Sequence, residues 1–148
     1  MSDSYFESVE IGTTDETGGR TITEADVVNF AGVSGDFNHI HTDDVRMADS
    51  SFGERIAHGM LVLSMATGLL WQNRSPEERD AVVAFYGIDE LRFRAPAFIG
   101  DRISVETEVL EKQRKPDSAG TGTVRYGLDV VKPDGTVVIS CETVSLLE

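Results

Sequence analysis

Residues 59–72 read Gly-Met-Leu-Val-Leu-Ser-Met-Ala-Thr-Gly-Leu-Leu-Trp-Gln, an apolar run of helix length. Apolar side chains fall on nearly every side of a helical projection, which is typical of a helix buried all round rather than one at a surface. Such a helix is roughly 21 Å long at 1.5 Å per residue. The run is too short, and too interrupted by Ser and Thr, to cross a bilayer. The segment therefore predicts the central helix of a globular core.

Alternating segments follow this helix and predict antiparallel strands, at residues 82–94, 102–110, 123–130 and 136–147. In the second segment Ile103, Val105 and Val109 alternate with polar residues, the period of a strand with one buried face. A buried helix followed by a run of strands is an α+β layout, and a sheet curled around the helix is its simplest cover. The sequence therefore predicts a hot-dog fold, an antiparallel sheet wrapped around a buried central helix. Its free sheet edges predict a homodimer or higher homo-oligomer.

Length and charge narrow the classes of function. The 148 residues predict one domain spanning 1–148. They carry 26 Asp and Glu against 13 Lys and Arg, a net charge of −13, which excludes nucleic acid and anionic membranes as main partners. Ten of the basic residues are Arg and only three are Lys. The acidic excess predicts a salt-adapted, halophile-type surface, the alternative being an ordinary acidic cytosolic protein.

Compartment signals are few. The single cysteine, Cys141, excludes an internal disulfide framework and suits a reducing compartment. Residues 1–10 have neither the basic nor the apolar region of a signal peptide. We therefore expect a cytoplasmic location.

A polar segment ahead of the central helix carries the candidate chemistry. Residues 30–41 read Phe-Ala-Gly-Val-Ser-Gly-Asp-Phe-Asn-His-Ile-His, after a helix that begins at Thr23. Asp36 and His41 lie five residues apart on an irregular segment, so a carboxylate and an imidazole can both face one bound water. The backbone N–H of Gly59, at the start of the central helix, can donate to an oxyanion with the helix dipole behind it.

Residues 36–41, together with His-Gly-Met at 58–60, resemble the signature of the MaoC-like dehydratases, the family of (R)-specific enoyl-CoA hydratases. The resemblance runs from about residue 21 to the end of the chain, and it departs from the family where His39 replaces the usual Pro. It implies a hydro-lyase that adds water reversibly and syn to trans-2-enoyl-CoA, giving (R)-3-hydroxyacyl-CoA. Fatty-acid metabolism and polyhydroxyalkanoate supply are pathways that such an activity serves.

The resemblance also assigns roles to residues. Asp36 and His41 form the catalytic dyad, with the identity of the formal base left open, and Gly59 donates to the thioester oxygen. Asn38 orients the loop or the dyad. Thr67 falls where the family carries a hydroxyl that hydrogen-bonds the catalytic carboxylate, although it is equally suited to bond within its own helix.

Partners and cofactors follow from the same resemblance. The partner is an acyl-CoA substrate, and no metal or redox cofactor is expected, because coenzyme A is itself part of the substrate. An acidic protein must hold the phosphates of coenzyme A with local cations or rely on salt to screen its charge. The candidate cations are Arg46, Arg55, Arg92 and Arg94.

Other interpretations remain open at this stage. A metal site would use His39 and His41 with His58, Asp36 or Asp43, but the spacing lacks the ligands that a strand-borne site would add. A hot-dog acyl-CoA thioesterase often carries its working carboxylate on the central helix, and residues 59–72 contain no Asp or Glu. A non-catalytic acyl-CoA-binding module, or a non-catalytic dehydratase subunit, would not need both Asp36 and His41. For His58 we expect a structural role, as an N-cap or a hydrogen-bonded core residue.

Overall fold

A computed structural model describes residues 4–148 of the chain. Its helices and strands follow one another in the order α1 (Tyr5–Ser8), β1 (Thr14–Glu16), β2 (Arg20–Thr21), α2 (Glu24–Ser34), α3 (His39–Thr42), α4 (Asp44–Ala48), α5 (Gly59–Asn73), α6 (Pro76–Ala81), β3 (Val82–Phe93), β4 (Arg102–Arg114), β5 (Gly122–Val131) and β6 (Val137–Leu147). The long helix and the four long strands lie where the sequence predicts them.

The strands form one antiparallel sheet in the order β1-β4-β5-β6-β3, and β2 also pairs with β4. Consecutive long strands are neighbours, except that β3 pairs with β6 and so lies at the far edge. Helix α5 packs on the concave side, where its Leu61, Val62 and Met65 share one apolar core with the strand residues Val105 and Val130. The predicted hot-dog fold is confirmed.

Helix α5 differs from the prediction on one side. Met60, Ser64, Thr67 and Trp71 are exposed, whereas the other side of the helix is buried. Their spacing of three or four residues places them in one stripe along the helix. The prediction of a helix buried all round is therefore wrong for the single chain, because the sheet of one chain covers α5 on one side only.

Local sequence signals set the ends of the helices before α5. The helix predicted to begin at Thr23 is α2, where Thr23 and Asp26 form a capping box. Gly35 ends this helix in the left-handed conformation, with φ of 76°, which glycine adopts without a steric penalty. Asp43 caps α4 by accepting a hydrogen bond from the N–H of Arg46, and it directly follows Thr42, the last residue of α3.

Two further expectations concern the whole chain. Cys141 is a free, buried thiol, so no disulfide forms within the chain. Among residues 4–148, no helix combines the length and the apolar character needed to span a membrane.

Candidate active site

The carboxylate of Asp36 is placed by the turn that follows α2. After Gly35, the N–H of Asp36 donates to the Ser34 hydroxyl at 3.1 Å, and the N–H of Asn38 donates to Asp36 Oδ1 at 3.2 Å. The second carboxylate oxygen, Oδ2, faces Nε2 of His41 at 3.8 Å. The side chain of Asp36 is 51% exposed and that of His41 only 9%, so the pair lies at the boundary between solvent and the interior.

The hydrogen bond at the other nitrogen fixes how His41 carries its proton. Nδ1 lies 2.7 Å from the carbonyl oxygen of Ile56. A carbonyl only accepts, so Nδ1 carries the hydrogen and donates it. In the neutral imidazole this leaves the lone pair on Nε2, the atom that faces Asp36.

The surroundings of His41 lower its pKa below the ordinary value. Burial is the largest cause, and the neighbouring His58 lowers the pKa further. The Ile56 carbonyl and the carboxylate of Asp36 act in the opposite direction without reversing the shift. His41 is therefore neutral near pH 7, and its Nε2 can accept a proton.

His58 lies beneath this pair and contacts both of its members. Its ring stacks on that of His41 with centroids 3.8 Å apart and planes 24° apart, and the ring of Phe30 meets it edge-on at 4.9 Å. Its Nε2 lies 2.9 Å from the backbone carbonyl of Asp36. His58 precedes the first residue of α5, but its side chain makes no capping hydrogen bond. We expected His58 to be either an N-cap or a hydrogen-bonded core residue, and the structure shows the second.

Gly59 and His41 line the same cavity, which has a volume of about 440 Å³. Gly59 is the first residue of α5, where backbone N–H groups have no partner within the helix. A Cβ added at Gly59 would lie 2.5 Å from the ring of Phe93, so any other residue here forces that ring to move. The cavity thus joins an imidazole that accepts protons to a free N–H at the positive end of a helix dipole.

The structure places Asn38 and Thr67 at different distances from this chemistry. Asn38 caps α3, with its side-chain oxygen accepting from the N–H of Ile40 at 3.1 Å, and α3 carries His41. The Thr67 hydroxyl instead donates to the Ser64 carbonyl at 2.6 Å. Within residues 4–148 it makes no hydrogen bond to Asp36, so the expected contact is absent from the single chain. Thr67 lines a second cavity, of about 530 Å³, beside the C-terminal half of α5.

The groups that resemble a metal site are Asp36, His41 and His58, whose candidate ligand atoms lie within 4.8 Å of one another. One nitrogen of each ring is already hydrogen-bonded to a carbonyl. The remaining lone pair of each ring points along the plane of that ring. Because the two rings are stacked and nearly parallel, these lone pairs do not converge on one point at the distance of a metal–nitrogen bond. The three groups suit proton transfer better than metal ligation.

Arg55 proves to have a structural role that sequence reasoning missed. Its guanidinium contacts the carboxylates of Glu24 and Asp44 and donates to the His41 carbonyl at 3.2 Å. These contacts join α2, α4 and the dyad segment, so Arg55 is not free to bind a phosphate. Arg94, in contrast, lines the 440 Å³ cavity and is exposed, with its Nε donating to Ser140 at 2.8 Å.

Comparison with protein families and curated relatives gives one consistent result. Residues 7–132 match the family described as "MaoC like domain". Protein MaoC of Klebsiella aerogenes is 40% identical over 117 residues, 76% of this chain and 34% of that protein. The 3-hydroxybutyryl-CoA dehydratase of Methylorubrum extorquens is 40% identical over 107 residues, 72% of this chain and 64% of that protein. The chain thus matches about a third of the first relative and just under two thirds of the second.

Solved structures agree with this result. A monoamine oxidase regulatory protein from Archaeoglobus superposes with a TM-score of 0.86 at 40% identity, covering 97% of this chain and 93% of that one. An unliganded (R)-hydratase from Pseudomonas aeruginosa gives a TM-score of 0.77 at 32% identity, covering 96% and 84%. The similarity extends over nearly the whole chain in both cases.

Proposed function

The chain belongs to the MaoC-like domain family, in which relatives are named as hydratases and dehydratases, and on that premise we propose that it is an (R)-specific enoyl-CoA hydratase. The reaction is the reversible syn addition of water to a trans-2-enoyl-CoA, giving (R)-3-hydroxyacyl-CoA. The observation that carries the proposal is the 3.8 Å approach of the Asp36 carboxylate to the unprotonated Nε2 of His41, beside the cavity at the start of α5.

In this mechanism a single water bridges the dyad. A water about 2.8 Å from each atom fits between groups 3.8 Å apart, whereas a direct hydrogen bond between them would be too long. Nε2 of His41 accepts a proton from this water while the water oxygen forms a bond to C3 of the enoyl group. The carboxylate of Asp36 holds the water and stabilises the imidazolium that results. The proton then passes to C2 on the same face, which completes syn addition and returns His41 to its neutral form.

The charge that develops on the thioester is the second requirement. As the C3–O bond forms, electrons from the double bond move onto the thioester oxygen. We assign the N–H of Gly59 as donor to that oxygen, because it lies in the same cavity as His41 and at the N-terminus of a four-turn helix. A donor placed before the reaction stabilises this charge without reorganisation.

Coenzyme A enters as part of the substrate, and the proposed steps use neither a metal nor a redox cofactor. Arg94 is the best-placed cation for its phosphates, because it is exposed at the rim of the catalytic cavity. Arg55 is excluded by its two carboxylate partners. The local cation matters in a chain of net charge −13, which otherwise repels a polyanionic ligand.

We also propose that the protein works as a homodimer that forms through β3. This strand is a free edge of the sheet and exposes Val83, Phe85, Tyr86 and Phe93. Antiparallel pairing of β3 with its copy, centred between Gly87 and Ile88, would set Phe93 opposite Val82 of the partner subunit. Because Phe93 lines the 440 Å³ cavity and Val82 the 530 Å³ cavity, the two would adjoin across the interface. An acyl chain starting at His41 would then extend into the larger cavity.

The decisive experiment follows the loss of enoyl-thioester absorbance with crotonyl-CoA, together with chiral analysis of the product and a thiol assay. We expect (R)-3-hydroxybutyryl-CoA without thiol release, and unchanged activity in the presence of a chelator. An (S) product contradicts the proposed geometry, and thiol release moves the assignment to a thioesterase. Binding of the substrate without turnover would identify an acyl-CoA-binding module.

Two companion measurements test the assembly and the surface. Light scattering should give the mass of a dimer, and Phe85→Glu should give a monomer with little activity, because it places a charge close to the centre of the proposed interface. A monomeric wild type with full activity contradicts the dimer.

If the surface is salt-adapted, KM for crotonyl-CoA should fall or stay level between dilute buffer and molar salt. A steep rise contradicts salt adaptation.

A further inference from the structure

His58 is more deeply buried than the mechanism above requires. Its side chain is only 3% exposed and lies between the rings of Phe30 and His41. Nδ1 has no hydrogen-bond partner among the described residues. A phenyl ring would fill the same space and leave no polar atom unsatisfied, so packing alone does not explain an imidazole at this position.

We propose that His58 is a positioning residue that sets both members of the catalytic dyad through two separate contacts. Its Nε2–H donates to the Asp36 backbone carbonyl at 2.9 Å, and the face of its ring supports that of His41 at 3.8 Å. The inference rests on the proposed function for its kinetic consequences, while the two contacts themselves stand on the geometry.

The first contact defines the tautomer. The carbonyl of Asp36 can only accept, so the hydrogen lies on Nε2 of His58 and the lone pair lies on the buried Nδ1. Within residues 4–148, this hydrogen bond joins the Asp36 backbone to the residue that precedes α5, twenty-two residues along the chain. The other hydrogen bonds of the turn are local, to Ser34 and Asn38. His58 therefore ties the carboxylate-bearing turn to the start of the central helix.

The second contact concerns the orientation of His41. The Ile56 carbonyl holds Nδ1 on one edge of this ring. The stacked ring of His58 supports its face, so Nε2 stays directed at Asp36. The charged groups around the pair are Asp36 itself, Arg94 in the cavity and Arg55 on the His41 carbonyl. None of these replaces a ring that contacts both members of the dyad.

Two substitutions separate the contacts. His58→Gln places an amide N–H where Nε2 lies, so it keeps the donor to Asp36 and loses the aromatic face. His58→Phe keeps an aromatic face and loses the donor. Because small displacements of reacting groups can cost about 100-fold in rate, we expect His58→Phe to lower kcat by about 10- to 100-fold with little change in KM. We expect His58→Gln to recover much of this loss, to within about tenfold of the wild type.

The control is His39→Gln, since His39 belongs to the same segment and takes part in neither contact. It should leave kcat close to that of the wild type. Thermal midpoints are measured for all variants, so that loss of folded protein is separated from loss of turnover. Equal kcat in His58→Gln and His58→Phe, whether both are high or both are low, overturns the role of the hydrogen bond. A loss expressed in KM rather than kcat overturns a role in positioning the dyad.

A spectroscopic test on the wild type does not depend on variants that fold. In protein labelled with ¹⁵N-histidine, two-bond ¹H–¹⁵N correlations report which nitrogen of each ring carries hydrogen. We expect hydrogen on Nε2 of His58 and on Nδ1 of His41. Hydrogen on Nδ1 of a neutral His58 overturns the proposal. If the wild type fails to hydrate crotonyl-CoA, the proposed function fails, and the tautomers still test whether His58 holds Asp36.

Discussion

The two ends of helix α5 differ in the residues and cavities that surround them. At its N-terminal end, His41 lies close to both Asp36 and His58 and lines a cavity of about 440 Å³. At its C-terminal end, a cavity of about 530 Å³ is lined largely by apolar groups such as Leu70 and Trp71. Glu78 and Tyr126 are two of the ionisable groups that line this second cavity. Burial is the largest cause of their raised pKa values, so it favours their uncharged forms. Groups suited to proton transfer thus lie at the N-terminal end of α5, and the larger cavity lies at its C-terminal end.

The backbone of the helix reinforces this difference. The first N–H groups of α5 have no partner within the helix, and its first residue, Gly59, lines the 440 Å³ cavity. At the other end Arg79 donates to the carbonyls of Trp71 and Gln72, each at 3.2 Å, so two of the last carbonyls of the helix already have a cationic partner. The dyad region and the second cavity are thus separated by the length of one helix, roughly 22 Å.

The largest effects should come from the dyad. Asp36→Asn and His41→Ala should each lower kcat for crotonyl-CoA by about 10²- to 10⁴-fold, because each removes a group that holds or moves the proton. Thr67→Val, at the other end of α5, is the matched control and should stay within about tenfold of the wild type. Steady-state assays on folded variants give the comparison. Similar losses at both ends would show that α5 is not divided in this way.

A smaller effect is expected at Gly59. Gly59→Ala keeps the N–H but displaces the Phe93 ring, from which its new Cβ would lie 2.5 Å. The shifted ring narrows the cavity, so we expect kcat/KM to fall by about 10- to 100-fold. The double variant Gly59→Ala, Phe93→Ala should recover most of this loss. Failure to recover would mean that the methyl group itself blocks the substrate, rather than the ring.

The pH dependence tests the protonation state of the dyad. The pKa of His41 is lowered by burial, so the acid limb of kcat/KM for hydration should have its midpoint below pH 6.5 and fall about tenfold per pH unit beneath it. The carboxylate of Asp36 raises the pKa of His41. Removing that charge in Asp36→Asn should therefore move the midpoint of the residual activity still lower. A midpoint that moves up would contradict the assignment of the limb to His41.

The same shift has a consequence for stability. The unfolded chain binds a proton at His41 near pH 6.5, and the folded chain binds it only at a lower pH. As pH falls through 6.5 the unfolded state therefore gains protons first, and the folded state loses stability. His41→Phe should reduce this loss in chemical denaturation measured at pH 5 and pH 7.

The smallest effect should appear at the C-terminal end. Leu70→Ala enlarges the 530 Å³ cavity without touching the dyad. We expect little change in kcat/KM for crotonyl-CoA. For a longer substrate such as octenoyl-CoA, we expect kcat/KM to rise by about tenfold or less relative to that for crotonyl-CoA. An equal change for both substrates would show that this cavity does not hold the acyl chain.

Much of the fold could be predicted because its signals are local. The period of residues 102–110 predicts a strand without knowledge of the rest of the chain, and the apolar run at 59–72 predicts the central helix. The α2 capping box and Gly35 are equally local. The exposed stripe on α5 was not predictable in this way, because a largely apolar run does not show which of its sides the sheet covers.

The site also combines features that the sequence predicts with features that depend on the fold. Asp36, His41 and Gly59 were identified from spacing and from the family signature, and their catalytic roles stay predictions. The hydrogen bond from Nδ1 of His41 to the Ile56 carbonyl left no trace in the sequence, because any residue offers a carbonyl. The pairing of Arg55 with Glu24 spans 31 residues and depends on the fold. The single domain, the cytoplasmic location and the salt-adapted surface also stay predictions.

The irregular course of β3 interrupts the open edge of the sheet. Its register with β6 shifts at three points, between Val82 and Ala84, between Phe85 and Gly87, and between Asp89 and Arg92. Near the last of these Glu90 takes a φ of 54°, rare for a residue with a side chain. Each shift twists the strand and interrupts its row of N–H and C=O groups. A foreign flat strand therefore finds no long ladder to extend at this edge, which disfavours the start of a cross-β stack.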